Sequence, residues 1–332
     1  MAIPALFKNR LRLPIIGAPM FLASSPELVI AQCHQGIAGC FPALNARPAT
    51  TLADWIARIK TALANFDETN PSSPSAPFGV NLILHSSNNR QQQDLDTVVE
   101  NQVPLVITSV GKPDEVARRV QAYGGLVFHD VTSIEHARKA IECGVDGLVL
   151  VCAGAGGHGG TLSPFAFLRE VRQFWQGAVA LAGTISDGNS IRAAELMGAD
   201  FAYMGTRFIA TQEAAALSEH KTMIVADGSS DIVYTSAFSG ISANYLRNSI
   251  LGCGLDPEQL SSSSDGEQKG GKDDLFANLD TAPPPEQAKA WKEIWAAGQG
   301  VGAINDVLSM SELFKRLQQE YFEAVNTPSQ FN

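Results

Sequence analysis

Five glycines and one histidine stand together in Cys152-Ala-Gly-Ala-Gly-Gly-His158-Gly-Gly-Thr161. Glycines let backbone approach a flat ligand closely and would set the imidazole over it. Histidine titrates near neutral pH, so His158 is the candidate for taking or giving a proton in turnover. Two further glycine turns, Ala182-Gly183-Thr184-Ile-Ser-Asp187-Gly188 and Met204-Gly205-Thr206-Arg207, each close a short apolar run. Backbone N–H groups at such turns, and at a helix N-terminus, form a natural phosphate cradle. The same glycines would also serve tight strand-to-helix turns. A phosphate there belongs to a cofactor or to a substrate, and the turns alone do not choose between the two. His85 and His129 also end apolar runs, but no His-x-His pair occurs and Asp130 is the only carboxylate beside these three histidines. No metal is therefore expected. Cys152 reads as a small hydrophobe at a strand end rather than a nucleophile.

These residues need elements to position them. Apolar runs recur at 14–18, 37–41, 78–84, 104–109, 125–129, 146–151, 178–183 and 201–206. Most are continuously apolar rather than alternating, the mark of parallel strands covered on both faces. Between them, 26–35, 51–64, 91–101, 113–123, 133–143, 163–175 and 188–197 predict helices. Ser25-Pro26, Ser133 with Glu135, and Ser163-Pro164 supply start signals, and Gly144 and Gly198 supply stops. Eight such units predict an α/β chain folded as a (β/α)₈ TIM barrel. A doubly wound sheet would show an early Gly-x-Gly-x-x-Gly turn, which is missing.

The cadence changes after residue 211. Helical stretches at 214–225 and 242–250, a polar tract at 261–274 and a proline triplet at 283–285 predict a smaller, mainly helical cap. The expected organisation is a barrel over 1–212, a cap over 213–290 and a C-terminal helical segment over 291–332 returning to the barrel. A glycine-rich break at 297–302 interrupts that last segment. In this fold the site lies at the carboxyl ends of the strands, and phosphate binds after the seventh and eighth. Both glycine turns fall there.

Composition narrows the function. Charged residues make up 17% of the 332-residue chain and apolar ones 45%, which excludes a disordered chain. The net charge of −10, with no basic block, argues against nucleic acid and against anionic membranes as partners. Five cysteines without a Cys-x-x-Cys predict neither disulfides nor a zinc ribbon. The first residues lack an apolar stretch of signal-peptide length, and a soluble, cytoplasmic protein is the expectation.

The motifs together resemble the nitronate monooxygenases, formerly called 2-nitropropane dioxygenases. The resemblance rests on Pro14-Ile-Ile-Gly-Ala-Pro-Met20, Phe78-Gly-Val-Asn81, Ala155-Gly-Gly-His158-Gly-Gly, Ala182-Gly-Thr-Ile-Ser-Asp-Gly188, Met204-Gly-Thr-Arg-Phe208 and Ala297-Gly-Gln299-Gly-Val-Gly302. It implies an FMN-dependent barrel enzyme that oxidises alkyl nitronates with O₂ to carbonyl compounds and nitrite. It further implies that Gly183, Thr184, Gly205 and Thr206 hold the FMN phosphate, and that Met20, Asn81, Gly156, Gly157 and Gln299 line the ring. His158 would meet the nitro group or remove the α-proton. A nitronate and O₂ are the implied partners, and a homodimer is compatible with such a chain. FMN-type NAD(P)H:quinone reductases and enoyl-acyl-carrier reductases share the scaffold and form the alternative. The quinone reductases tend to carry Lys where this chain has Asp130.

Overall fold

The computed structural model describes residues 3–260 and 293–328. The polar tract at 261–274, the proline triplet at 283–285 and residues 291–292 of the predicted C-terminal segment lie outside the described residues. So do most of the cap's predicted second half and the last residues of the C-terminal segment.

Eight parallel strands close into a barrel in chain order. They are β1 (Ile15–Gly17), β2 (Ala38–Pro42), β3 (Gly79–Ile83), β4 (Leu105–Ser109), β5 (Leu126–Val131) and β6 (Gly147–Val151). A two-residue strand outside the barrel, β7 (Gly157–His158), precedes the last two, β8 (Ala178–Ala182) and β9 (Phe201–Met204). β9 pairs with β1, Ile16 opposite Tyr203, and seals the ring. The chain is the (β/α)₈ barrel its sequence predicts.

Helices α1 (Pro26–His34), α2 (Thr51–Thr69), α3 (Gln91–Glu100), α4 (Asp114–Gln121), α5 (Ile134–Glu142), α6 (Pro164–Val171) and α7 (Gly188–Met197) alternate with the strands, and a one-turn helix α8 (Thr206–Ile209) follows β9. Their ends have local causes. The Ser25 and Ser133 hydroxyls accept from the N–H groups of Leu28 and His136, satisfying donors that a helix start leaves free. Asp187 and Ser190 form a reciprocal capping box on α7, which ends at Gly198 in the left-handed conformation.

The strand periodicity splits the core in two. Val80, Val106, Leu148, Val179 and Ala202 face the helices, while Ile16, Leu105, Ile107, Val149 and Ala180 face the barrel axis. Phe7, on an N-terminal turn, plugs the amino end of the barrel against Phe128 and Phe201, with ring centroids 6.2 and 4.8 Å away. That end is closed by packing, so access is left to the carboxyl end.

Beyond the barrel lie α9 (Ser218–Ala226), β10 (Ile232–Thr235), β11 (Ala243–Leu246) and α10 (Arg247–Gly252). Residues 242–250, predicted helical throughout, begin as strand β11. Ala243 and Tyr245 are buried against Ile250 and Ile294, and β10 and β7 pair on either side. Side-chain burial plus two partner strands outweighs helix propensity here. The chain ends in α11 (Met310–Asn326), which buries Met310, Leu313, Phe314 and Leu317. It crosses α7 so closely that a Cβ on Gly188 would strike the Tyr321 backbone. The Gly188 N–H donates to Glu320 Oε2 at 2.8 Å. Among the described residues no helix is long and apolar enough to cross a membrane.

Candidate active site

A cleft of about 2160 Å³ opens at the carboxyl ends of the strands. Of the sequence-predicted residues, Met20, Asn81, Gly156, Gly157, His158, Gly183, Thr184, Gly205 and Thr206 border it. Gln299 does not. Its side chain is exposed and rests against Gly154, whose carbonyl accepts the Gln299 N–H at 2.9 Å. Its neighbours Gly298 and Gly300 line the cleft instead.

Close backbone approach explains the glycines. Gly183 sits at φ +128°, and a Cβ there would stand 2.8 Å from the Ala153 carbonyl oxygen. A Cβ on Gly156 would stand 2.8 Å from the Gly298 nitrogen and 3.2 Å from Thr206 Oγ1. The Gly298 N–H donates to that same hydroxyl at 2.9 Å, knitting the loops after β6 and β9 to residues 297–300. Gly205 differs. Its notional Cβ meets only Ala18 Cβ and Met20 Sδ, at 3.5 Å, on the cleft wall.

His158 is held by the cap. Through β7 it pairs with Ala243, and Gly157 pairs with Asn244, both in β11. Asn244 Nδ2 donates to the Ala155 carbonyl at 2.6 Å, and the Tyr234 hydroxyl donates to that of Gly159 at 3.0 Å. His158 Nε2 lies 3.1 Å from Ser239 Oγ, whose own proton goes to the Ile241 carbonyl. With that proton committed, Ser239 Oγ is left to accept from the imidazole. Burial pulls His158 down to about 4, so the ring is neutral at neutral pH.

The other candidates separate from it. His85 Nδ1 turns to Ser87 Oγ at 2.8 Å. His129 is buried on the helix side of β5, 2.8 Å from Thr108 Oγ1, and is likewise pulled down to about 4 by burial. Among the described residues no three His, Cys, Asp or Glu side chains converge as metal ligands. Cys152 is buried, and burial pushes its thiol up to about 12, which suits packing rather than nucleophilic attack.

Asp130 faces the barrel interior rather than His129. Ser109 Oγ–H donates to its Oδ2 at 2.6 Å, and Asn81 Nδ2 donates to Ser109 Oγ at 2.8 Å. Tyr203, from β9, borders the same floor. The sequence marked Asp130 as the neighbour of His129 and as the position where the quinone reductases carry Lys; the chain Asn81–Ser109–Asp130 joins three strands and has no local signature. Ser239 and Asn244 were missed for the same reason, since they reach the histidine loop from 81 and 89 residues away.

Fold and site define an α/β barrel enzyme scaffold with a glycine-rich, single-histidine cleft on its carboxyl face. A family model described as nitronate monooxygenase matches residues 8–320, and the chain belongs to that family. It is a nitronate monooxygenase-like oxidoreductase. It is 26% identical over 285 residues to a nitronate monooxygenase of Paraburkholderia phytofirmans, covering 74% of this chain and 76% of that one. It is 24% identical over 315 residues to a 5-hydroxy-7a-methyl-1-oxo-octahydro-1H-indene-4-carboxyl-CoA dehydrogenase of Rhodococcus jostii, covering 95% and 80%. Among solved structures it resembles a nitroalkane oxidase from Streptomyces ansochromogenes (TM-score 0.75, 25% identity, 97% and 99% covered). FabK from Thermotoga maritima shares the fold, with TM-score 0.76, 23% identity and 98% of both chains covered.

Proposed function

We propose that the protein is an FMN-dependent monooxygenase that oxidises alkyl nitronates with O₂ to carbonyl compounds and nitrite. The observation that carries this reading is His158, its Nε2 3.1 Å from Ser239 Oγ, on a glycine-rich loop beside the turns at Gly183 and Gly205. FMN fits the residues present. Gly205 leaves wall space that a side chain would fill, and the floor offers unpartnered polar atoms at Asp130 and Tyr203. The loops at 183–184 and 205–206 would hold its phosphate, and Met20, Asn81, Gly156 and Gly157 would border its ring. When bound, FMN supplies the two-electron chemistry between nitronate and oxygen.

The chain's own residues orient and deprotonate. A neutral imidazole can accept the α-proton of a nitroalkane, while the contact with Ser239 Oγ restrains the ring. The strand pairing of β7 with β11 fixes the height of His158 over the cleft. A reducing, cytoplasmic setting suits the five free thiols. Steady-state assay with an alkyl nitronate under air tests the proposal: nitrite and the carbonyl product should appear together, and neither should appear without added FMN after the protein is stripped.

The size of the cleft supports a second reading, an NAD(P)H-dependent reductase of a quinone or an enoyl thioester. About 2160 Å³ exceeds the roughly 300–1,000 Å³ of a common small-molecule site. Rapid anaerobic flavin reduction by NADH or NADPH, without a response to nitronates, would establish this reading in place of the first.

A further inference from the structure

Asn81, Ser109, Asp130 and Tyr203 come from β3, β4, β5 and β9 and all border the cleft. Two hydrogen bonds run one way through three of them. The Asn81 amide donates to Ser109 Oγ, and the Ser109 hydroxyl donates to Asp130 Oδ2. That chain ends on Oδ2. Asp130 Oδ1 and the Tyr203 hydroxyl are buried, and neither has a hydrogen-bond partner. A buried polar atom without a partner forfeits the hydrogen bond it had in water, so two of them on the floor of one cleft mark a place where a ligand completes the bonding.

The surroundings decide the protonation state in which Asp130 does this. The groups facing it are the Cys40 thiol from β2, the Asn81 amide from β3, the Ser109 hydroxyl from β4 and the Tyr203 hydroxyl from β9. From β6 and β8 the same side of the sheet presents Val151 and Ala182, and β1 leads into Ala18. None of these is a cation, and His129 on the same strand is turned to Thr108. An anion here would have one hydrogen bond and no counter-charge, which buried carboxylates avoid.

We propose that Asp130 is a cofactor-binding residue that works as a neutral carboxylic acid, its Oδ1–H donating to an acceptor on the polar edge of the flavin ring while Tyr203 bonds the adjoining polar atom. The inference rests on the FMN reading above. Burial, opposed only by the Ser109 hydrogen bond, raises the Asp130 carboxyl to about 7. Ionisation just above neutrality would then withdraw the donor and set a negative charge against the ring. Few other groups near the floor interfere in that window. Burial holds His158 near 4 and keeps Cys40 and Tyr203 well above their ordinary values, and a phosphate monoester, with its second pKa near 6, is already mostly dianionic at pH 7.

The test is a fluorescence titration of the stripped full-length protein with FMN at intervals from pH 7 to 9. If the neutral acid is the binding form, the wild-type Kd rises toward tenfold per pH unit, about 50-fold over the range. Asp130→Asn keeps the shape and a permanent donor, so its Kd should stay near the wild-type pH 7 value and be flat with pH. Tyr203→Phe should keep the wild-type slope and weaken binding about fivefold throughout, one neutral hydrogen bond. A flat wild-type profile, or an Asn variant with the wild-type slope, overturns the inference while leaving FMN as the cofactor. FMN binding at no pH overturns both. If the Asn variant does not fold, the wild-type slope alone decides.

Discussion

Replacing Gly183 with alanine tests whether the loops after β6 and β8 are built around close backbone contact. The residue adopts φ +128°, a conformation that costs a residue with a Cβ about 1–3 kcal/mol. The new methyl would also stand 2.8 Å from the Ala153 carbonyl oxygen, several tenths of an ångström inside ordinary contact. That carbonyl cannot simply retreat. The Ala153 N–H is tied to Leu162 O at 2.8 Å, and the Cys152 N–H to Ala182 O at 3.1 Å. Strain and displacement together should cost about 2–4 kcal/mol. At about 2 °C per kcal/mol for a chain of this size, calorimetry should show Tm lower by about 4–8 °C. FMN affinity should fall at least tenfold, because the 183–184 turn moves with the clash. Gly205→Ala is the contrast. Its φ of −117° accepts a side chain and its methyl makes only ordinary 3.5 Å contacts, so Tm should stay within about 1 °C while FMN binding weakens. A Gly183→Ala protein with wild-type Tm and wild-type FMN affinity would refute the reasoning.

His158→Asn should retain flavin and lose on the order of 10²-fold in kcat with a nitroalkane, the usual effect of removing a positioned acid/base; unchanged turnover would remove His158 from the mechanism. An NMR titration of the His158 ring should show its midpoint near 4, because burial lowers it from the ordinary histidine range; a midpoint near 6.5 would mean the ring is solvated and its charge state at neutral pH misassigned. Asn244→Ala removes the donor to the buried Ala155 carbonyl and should cost about 1–3 kcal/mol in urea unfolding. Amide exchange at residues 155–160 should rise with it, and equal protection would show that the cap does not hold this loop. Arg207→Met breaks the buried guanidinium link to Asp306, 3.0 Å from its side chain and its carbonyl, and should lower the unfolding free energy by about 2–4 kcal/mol.

Strands were legible in the sequence because a parallel barrel buries both of their faces. Runs such as 146–151 carry no charge after Asp146 and end at the cleft, and β6 fills 147–151. Helix starts were legible at Ser25 and Ser133 because capping is local chemistry. The glycine turns and His158 were legible for the same reason: strand ends in a barrel fall on one rim. What the sequence could not show depends on distant partners. Ala243–Leu246 is strand because β10 and β7 flank it, not because of its own four residues. Gln299 belongs to a motif that packs against Gly154, a contact between loops far apart in the chain that no local signal announces. The sequence left open whether Asp130 serves His129 or points inward, and alternation along β5 sends the two side chains to opposite faces of the sheet.

The central claim is that the Gly183 and Gly205 turns would hold an FMN phosphate and that the bound cofactor would supply the oxidation of a nitronate near His158. Anaerobic stopped-flow mixing of the FMN-loaded protein with an alkyl nitronate reads this directly. The flavin absorbance should bleach, the loss should recover on admitting oxygen, and one nitrite should be released per nitronate consumed. A yellow protein whose spectrum no nitronate changes, but which NADH or NADPH bleaches at once, would contradict the account.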